Sequence, residues 1–252
     1  ADPAQDRYRR FTFSAASVRA RHMTGVRCIE LCKTYRQGDQ DIQALDHLSI
    51  DIEPGGFVCL SSPSGGGKTT LLNAIGGLDK PDSGEVWLAD ERIDQLSKGE
   101  LAALRLHKIG FVFQAYNLIP VLSARENVEF VMQLQGMSAS ERHERSQAVL
   151  AEVGLADLAD RRPAQMSGGQ QQRVAVARAI VSKPALILAD EPTANLDSRN
   201  SDELMDLFSH LNSIHKTTFV IATHDERVMA HVPRLIRMLD GRIVEDIQQH
   251  GG

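Results

Sequence analysis

Apolar residues along the chain alternate between short runs and longer stretches with helical spacing. The runs 57–60, 109–113 and 185–190 are almost entirely apolar, which predicts buried strands. Apolar residues that recur every three or four positions predict the helices 97–106, 167–182, 198–214 and 225–231. Because strands alternate with helices, we expect an α/β fold with a mainly parallel sheet and helices on its faces.

Two segments depart from this alternation. Strand patterns at 26–32 and 48–52 precede the first helix and predict an antiparallel β portion at the N-terminal side. Residues from about 115 to 165 have helical spacing and no β-branched runs, which predicts an inserted helical subdomain. Asp240–Gly241 predicts a terminal hairpin. We interpret 23–252 as one domain with this insertion.

Composition restricts the protein class. Of 252 residues, 42% are hydrophobic and 24% charged, as in a globular protein, and the net charge of −5 does not indicate a nucleic-acid partner. No apolar run is long enough to cross a bilayer. The spacing of Cys28 and Cys32 along one strand is too long for a disulfide. Residues 1–22 are rich in arginine, and we interpret them as an expression remnant or a disordered extension.

The segment 62–70 carries the clearest chemistry. It lies between an apolar strand and a helical pattern and matches a phosphate-binding loop, in which glycine N–H groups and a helix N-terminus bind anions. Lys68 would reach the β- and γ-phosphates, and the Thr69 hydroxyl would bind Mg²⁺. The candidate nucleotide ligands are Ser62, Ser64, Gly65, Gly66, Gly67, Lys68, Thr69 and Thr70.

Ser62 is the one departure in this motif, which normally has glycine there. If the position requires a backbone conformation open only to glycine, serine costs about 1 kcal/mol or more. We then expect nucleotide binding to persist in weakened form, and Ser62→Gly to raise ATP affinity or turnover.

The apolar run 185–190 ends in two acids. It would bring Asp190 to the carboxyl edge of the sheet, where it could hold Mg²⁺, and Glu191 could deprotonate an attacking water. The alternative is an acid pair that caps a helix after a buried strand.

Ser167–Gln170, here called the signature segment, opens another predicted helix. Ser167 is a good N-cap, so a capped helix start is the plain interpretation. The two glycines also expose N–H groups beside a helix N-terminus, which indicates a second anion site. One chain needs only one phosphate cradle, whereas two chains facing head-to-tail would use both.

Together these segments resemble the nucleotide-binding subunits of ATP-binding-cassette (ABC) transporters. The resemblance covers about 25 to 245. The motifs that carry it, in order, are Tyr35, 62–70, Gln114, 167–170, Asp190–Glu191, 194–197 and Thr223–His224–Asp225. Met166 stands where the family usually has leucine, and this change of similar volume should have little effect.

The resemblance implies a P-loop NTPase core with ATP and Mg²⁺ as cofactors. It implies catalytic roles for Glu191, His224 and Gln114, with Thr69, Gln114 and Asp190 at the metal. Tyr35 would stack on adenine, and Asp197 would contact a second copy. Ser167, Gly168, Gly169 and Gln170 would contact the ATP held by that copy.

The resemblance also implies an ATP-hydrolysing subunit that powers a separate membrane permease. The subgroup of lipoprotein-releasing and macrolide-exporting ATPases is the most similar, on 77–84, 189–197 and 240–243. Such a subunit would lie at the cytoplasmic face of the bacterial inner membrane, held there by the permease, with 116–120 as the gripping surface. The alternative for that segment is internal packing.

Several alternatives remain at this stage. One is a cell-division-type ABC ATPase that signals across the membrane, and another is a nucleotide-binding module with hydrolysis impaired by Ser62. A soluble ABC-type ATPase of DNA repair or translation is disfavoured, because the chain has neither two cassettes nor zinc-binding cysteines. The chain would be a stand-alone subunit or a domain of a fused exporter.

Overall fold

The computed structural model of the protein describes residues 25–38 and 40–249. The predicted extension 1–22 lies outside these residues. The strands are β1 (Val26–Gln37), β2 (Gln40–Ile52), β3 (Phe57–Ser61), β4 (Ser83–Leu88), β5 (Glu91–Arg92), β6 (Ile109–Phe113), β7 (Leu186–Asp190), β8 (Thr218–Thr223), β9 (Arg234–Leu239) and β10 (Arg242–Gln248). The helices are α1 (Lys68–Ile75), α2 (Lys98–Lys108), α3 (Ala124–Leu134), α4 (Ala139–Glu152), α5 (Gly168–Ile180), α6 (Ser198–His215) and α7 (Glu226–Ala230).

The strands form two sheets of different type. A four-stranded antiparallel sheet has the order β2-β1-β4-β5, and a six-stranded sheet has the order β10-β9-β3-β8-β7-β6. In the second sheet all neighbours are parallel except β9 and β10. The predicted fold class, a mainly parallel core with an N-terminal antiparallel portion and a helical insertion, is confirmed.

The central strands are buried on both faces, which explains their continuous apolar runs. Along β3, Val58 and Leu60 face a core formed with α1, α2 and the antiparallel sheet. Phe57 and Cys59 face a second core formed with α3, α4, α5 and α6. Since the strands are held on two sides, their carboxyl ends form a fixed edge on which side chains can be placed.

Two strands are much longer than predicted. The pattern at 26–32 extends to β1 (Val26–Gln37), and the pattern at 48–52 belongs to the longer β2 (Gln40–Ile52). The added residues 40–43 of β2 are all exposed, so this part lacks the apolar alternation that marks a strand. Pairing with β1, for example Tyr35 opposite Ile42, forms it instead.

The helical segment contains α3 and α4, followed by short 3₁₀ turns at Ala156–Leu158 and Pro163–Gln165. Val128 and Met132 of α3 are fully buried in the second core, together with Leu150 of α4. This packing attaches the segment to α5, which also lies on β6.

The terminal hairpin lies against the phosphate-binding region. Asp240 and Gly241 both have positive φ, at 48° and 75°, as a tight two-residue turn requires. The Gly241 carbonyl accepts a hydrogen bond of 3.0 Å from the Asp46 N–H. The hairpin therefore packs against the strand that borders the loop between β3 and α1.

All three cysteines are free, as their spacing predicted. Cys28 and Cys59 are buried, and burial raises the pKa of the Cys59 thiol to about 12. Both therefore behave as small apolar side chains of the core.

Candidate nucleotide-binding and catalytic site

The phosphate loop, residues 62–67, connects β3 to α1. Gly65 and Gly67 have φ values of 82° and 95°, a region that favours glycine. At Gly67 a Cβ atom would also lie 2.4 Å from the Ala44 carbonyl oxygen, so no other residue fits. Gly67 caps α1 without a side-chain hydrogen bond, which leaves the first-turn N–H groups of α1 available to an anion.

Lys68 is the first residue of α1, and its side chain is buried with 8% exposure. Its ammonium donates to the Ser62 carbonyl oxygen at 2.8 Å and to the Ser62 Oγ at 3.1 Å. The buried cation therefore lies over the loop, where phosphates were predicted to bind. Ser64 is exposed on the outer part of the same loop.

Ser62 does not have a positive φ. The condition under which we expected a penalty is thus not met, and the expected gain from Ser62→Gly no longer follows. The side chain is buried with 6% exposure, and its hydroxyl donates to the Pro63 carbonyl oxygen at 2.8 Å.

Thr69 and Asp190, predicted as metal ligands, are in contact. The Thr69 hydroxyl donates to Asp190 Oδ2 at 3.0 Å, across the gap between α1 and the end of β7. Burial raises the pKa of Asp190, and the Thr69 hydrogen bond opposes this shift. A hydroxyl and a carboxylate are the oxygen donors that Mg²⁺ prefers, so the pair fits that ion.

Glu191 follows Asp190 and is held at both carboxylate oxygens. Oε2 accepts from the Thr223 hydroxyl at 2.9 Å, and Oε1 lies 2.8 Å from His224 Nδ1. Glu191 has a φ of 47°, and its N–H donates to the Ala222 carbonyl oxygen. A residue in this sparsely populated region is held by its surroundings, and such residues cluster at active sites.

Thr223 belongs to the motif Thr223–His224–Asp225, but sequence reasoning gave it no role in the site. It is fully buried at the end of β8, donates to Glu191 and accepts from the Asp225 N–H at 3.1 Å. The available signal was its position: β7 and β8 are adjacent parallel strands, so their last residues meet at one edge.

Gln114 lies directly after β6, at the same edge. Register places Phe113 opposite Asp190, so Gln114 is one residue beyond the candidate metal ligand. The Gln114 side chain is exposed, and the backbone carbonyl oxygen of Gln114 accepts from Asn195 Nδ2 at 2.9 Å. This contact connects the end of β6 to the loop that leads into α6.

The signature segment begins α5 with a complete capping box. Ser167 Oγ accepts from the Gln170 N–H at 3.3 Å, and Gln170 Oε1 accepts from the Ser167 N–H at 2.9 Å. Gly168 lies beside the Tyr116 hydroxyl and Gly169 beside Asn200 Oδ1, where added Cβ atoms would be 2.7 and 2.6 Å away. The segment thus lies against Tyr116 and Asn200, and α5 packs on β6, α3 and α4, whereas α1 packs on β4, β7 and β8.

Asp197 is the N-cap of α6. Its carboxylate accepts from the Asn200 backbone N–H at 2.9 Å and from Asn200 Nδ2 at 2.8 Å. These hydrogen bonds lower the pKa of Asp197. Asn200 also lies against Gly169, so Asp197 is linked through one side chain to the signature segment. Its predicted contact with a second copy stays a proposal.

Tyr35 lies beside the first turn of α1, where its hydroxyl interacts with Thr70. The hydroxyl donates to Asp79 Oδ2 at 2.7 Å, and the ring is 38% exposed. Lys33 Nζ is 5.3 Å from the ring centroid and 3.0 Å from Asp79 Oδ1. Lys33 and Asp79 thus fix the ring orientation, and sequence reasoning missed both.

The segment 116–120 is held from two sides. Tyr116 and Asn117 both have positive φ, and Arg178 of α5 donates to both of their carbonyl oxygens. Leu118 packs against the second core, and Asn127 of α3 bonds the Ile119 backbone. The segment is therefore partly packed internally, and its predicted contact with a permease stays a proposal.

The structure brings most predicted site residues to one edge of the parallel sheet. The phosphate loop, Thr69, Asp190 and Glu191 lie there with Gln114 and His224. The signature segment is on another element of the same chain, so the two predicted anion sites are separate structures.

Comparisons with known proteins agree with this geometry. Residues 45–194 match the family model described as ABC transporter. An uncharacterized ABC transporter ATP-binding protein of Thermotoga maritima is 44% identical over 223 residues, 88% of this chain and 94% of that protein. The dimeric ATP-binding cassette MJ0796, in a post-hydrolysis state with ADP and Pi, superposes with a TM-score of 0.82 at 42% identity. The match covers 90% of this chain and 100% of that one.

Other relatives are longer. The macrolide export ATP-binding/permease protein MacB of Hyphomonas neptunium is 44% identical over 217 residues, which is 86% of this chain. The matched region is 34% of that protein, so the chain spans about a third of such relatives. Within the part of the chain that the structure describes, no helix is both long and apolar enough to span a membrane.

Proposed function

This chain belongs to the ABC transporter family as an ATP-binding cassette, and we propose that it hydrolyses ATP to power a separate membrane permease. The proposal rests mainly on the environment of Glu191. Its carboxylate is fixed by Thr223 and His224 directly beside Asp190, which is hydrogen-bonded to Thr69. A base, a metal-ligand pair and a phosphate loop at one sheet edge are the parts that phosphoryl transfer to water requires.

The phosphate loop and α1 bind the nucleotide. The backbone N–H groups at the start of α1 and the Lys68 ammonium hold the phosphate oxygens, and Tyr35 stacks on adenine. Thr69 and Asp190, with Gln114, would hold Mg²⁺, which supplies charge stabilisation on the phosphates when bound. These residues place the γ-phosphate next to Glu191.

Glu191 accepts a proton from the attacking water. Each carboxylate oxygen has a second lone-pair site beyond its bond to Thr223 or His224, so one remains for the water. The water oxygen bonds to the γ-phosphorus as the bond to the β–γ bridging oxygen breaks, which gives ADP and phosphate. Since Glu191 is already oriented, little ordering is needed at that step.

A second copy of the chain completes the site. The signature segment contacts Tyr116 and Asn200, and its helix α5 packs mainly on β6 and α3, which supports a role for the segment on the ATP of another subunit. The similar cassette described as a dimer with ADP and Pi also supports this arrangement. In this proposal two copies close head-to-tail around two ATP molecules, and hydrolysis reopens them.

The membrane partner is a permease of the exporter type. Relatives named as macrolide export ATP-binding/permease proteins favour this partner over a cell-division complex. The chain would then lie at the cytoplasmic face of the bacterial inner membrane, held by the permease. The segment 116–120 is the proposed contact, and the permease chooses the substrate.

Steady-state ATPase assays of the parent and Glu191→Gln test the proposal. We expect the parent to hydrolyse ATP and Glu191→Gln to lose at least about 100-fold in kcat. Size-exclusion chromatography in Mg-ATP should show Glu191→Gln as a dimer, because ATP stays in place.

Glu144→Gln is the matched control. It makes the same change at an exposed position of α4 and should behave as the parent does. Equal loss in both variants would contradict the assignment of Glu191. Binding of ATP by the parent without phosphate release would instead favour a nucleotide-binding module that does not hydrolyse.

A further inference from the structure

Ser62 is the main partner of the buried Lys68 ammonium. Two of the three N–H donors of Lys68 go to oxygens of this residue, at 2.8 and 3.1 Å. The Ser62 hydroxyl itself donates a hydrogen bond to the Pro63 carbonyl oxygen at 2.8 Å. The hydroxyl is therefore oriented with a lone pair toward Lys68, which makes Ser62 a fixed acceptor.

The Ser62 side chain also explains why residue 66 is glycine. Unlike Gly65 and Gly67, Gly66 has a φ that any residue can adopt. A Cβ at position 66 would nevertheless lie 2.6 Å from Ser62 Oγ and 2.7 Å from Ser62 Cβ. The space inside the phosphate loop therefore holds one side chain, and in this protein it comes from position 62.

We propose that Ser62 is a positioning residue for Lys68, and that positions 62 and 66 are coupled because only one of them can carry a side chain. The inference rests on the proposed nucleotide site. A lysine side chain has considerable rotamer freedom, and two acceptors on one residue fix its ammonium before a phosphate arrives. Ser62 thus replaces a glycine of the usual motif with a residue that orders the cation.

A double-mutant cycle tests the coupling. In the parent, Gly66→Ala should raise the KM for ATP about 10- to 100-fold, because the added carbon overlaps Ser62. In the Ser62→Gly background the same change should alter KM less than about threefold, since the Ser62 atoms are gone and the nearest remaining atom, the Pro63 carbonyl oxygen, is 3.2 Å away. Equal effects of Gly66→Ala in both backgrounds would overturn the coupling.

Ser62→Ala tests the positioning role separately from packing. It keeps Cβ and removes the hydroxyl, so KM should rise about 5- to 10-fold while kcat stays within about twofold. Gly66→Ala should remain harmful in this background, because Ser62 Cβ alone is 2.7 Å away. An unchanged KM in Ser62→Ala would overturn the positioning role and leave only packing.

Unfolding midpoints without nucleotide separate this inference from the proposed function. Gly66→Ala should lower the midpoint in the parent and spare it in Ser62→Gly. Gly99→Ala is the control, because a Cβ there meets no atom within 4 Å. A parent that neither binds nor hydrolyses ATP would contradict the proposed function, and the midpoints would still decide the coupling.

Discussion

The start of α1 and the start of α5 are both glycine-rich helix N-termini, yet they are built in opposite ways. Gly67 begins α1 without a side-chain cap. Ser167 and Gln170 cap α5 reciprocally, so two of its N–H groups have partners within the segment. The first helix start is open toward a ligand, whereas the second is satisfied within its own segment, and we propose that it acts on the ATP of another chain.

The catalytic groups follow the same division. Lys68, Thr69, Asp190 and Glu191 all converge on the α1 side. The signature segment instead contacts Tyr116, in the loop that follows β6, and Asn200, in the first turn of α6. In the proposed arrangement, the α1 side carries the chemistry and the α5 side carries the link between subunits.

Of the changes that test this comparison, removal of the Lys68 charge should have the largest effect on activity. Lys68→Met should lower kcat/KM for ATP by about 1000-fold, because a preorganised cation on the phosphates is lost. Filter binding of ATP should fall in parallel. Lys98→Met, at the exposed start of α2, is the matched control and should behave as the parent does.

A glycine-to-alanine substitution at each helix start tests how much space the two sites leave for a side chain. Gly67→Ala should lower the free energy of unfolding by about 2–4 kcal/mol, because its Cβ meets backbone at a positive φ. Gly169→Ala meets only the Asn200 side chain, which can rotate, and should cost less than about 1 kcal/mol. Urea unfolding measures both, and equal losses would contradict the distinction.

Thr223 lies on the α1 side of the site but was not among the predicted site residues. Thr223→Val should lower kcat about tenfold with little change in KM, because Glu191 loses a hydrogen bond that orients it. Thr223→Ser keeps the hydroxyl and should recover most of the rate. If Thr223→Ser is as slow as Thr223→Val, packing and not the hydroxyl matters.

Loss of the α5 cap should have a small effect on stability. Ser167→Ala should cost about 1 kcal/mol of unfolding free energy, and Ser97→Ala should cost a similar amount because it caps α2 in the same way. Only Ser167→Ala should lower the ATPase rate. A similar decrease in both variants would indicate a purely structural cap in each.

Sequence reasoning predicted the parts of the site that local patterns determine. The buried run of β7 ends in the two acids, and the glycines of the phosphate loop follow β3 and precede Lys68, so their convergence at one edge followed from the parallel sheet. The exposed start of β2, residues 40–43, was missed because pairing with β1, and not burial, forms it.

Partners that are distant in sequence could not be predicted. Lys33 and Asp79 contact each other and Tyr35 but are 46 positions apart. The penalty expected at Ser62 assumed a backbone angle that only the fold determines. The roles of Gln114 and Asp197 stay predictions, because the described residues give them contacts within one chain only.

An inter-chain cross-link tests most directly whether the two helix starts meet on one ATP. Ser64→Cys, beside the phosphate loop, and Ser167→Cys would be made in separate Glu191→Gln chains carrying tags of different size. The two chains would then be mixed in equal amounts and treated with a short bismaleimide.

We expect a cross-linked product that carries both tags and forms only with Mg-ATP. Glu191→Gln chains without the added cysteines should not form it. Cross-linking only between two Ser64→Cys chains, or equal cross-linking without nucleotide, would contradict the head-to-tail site.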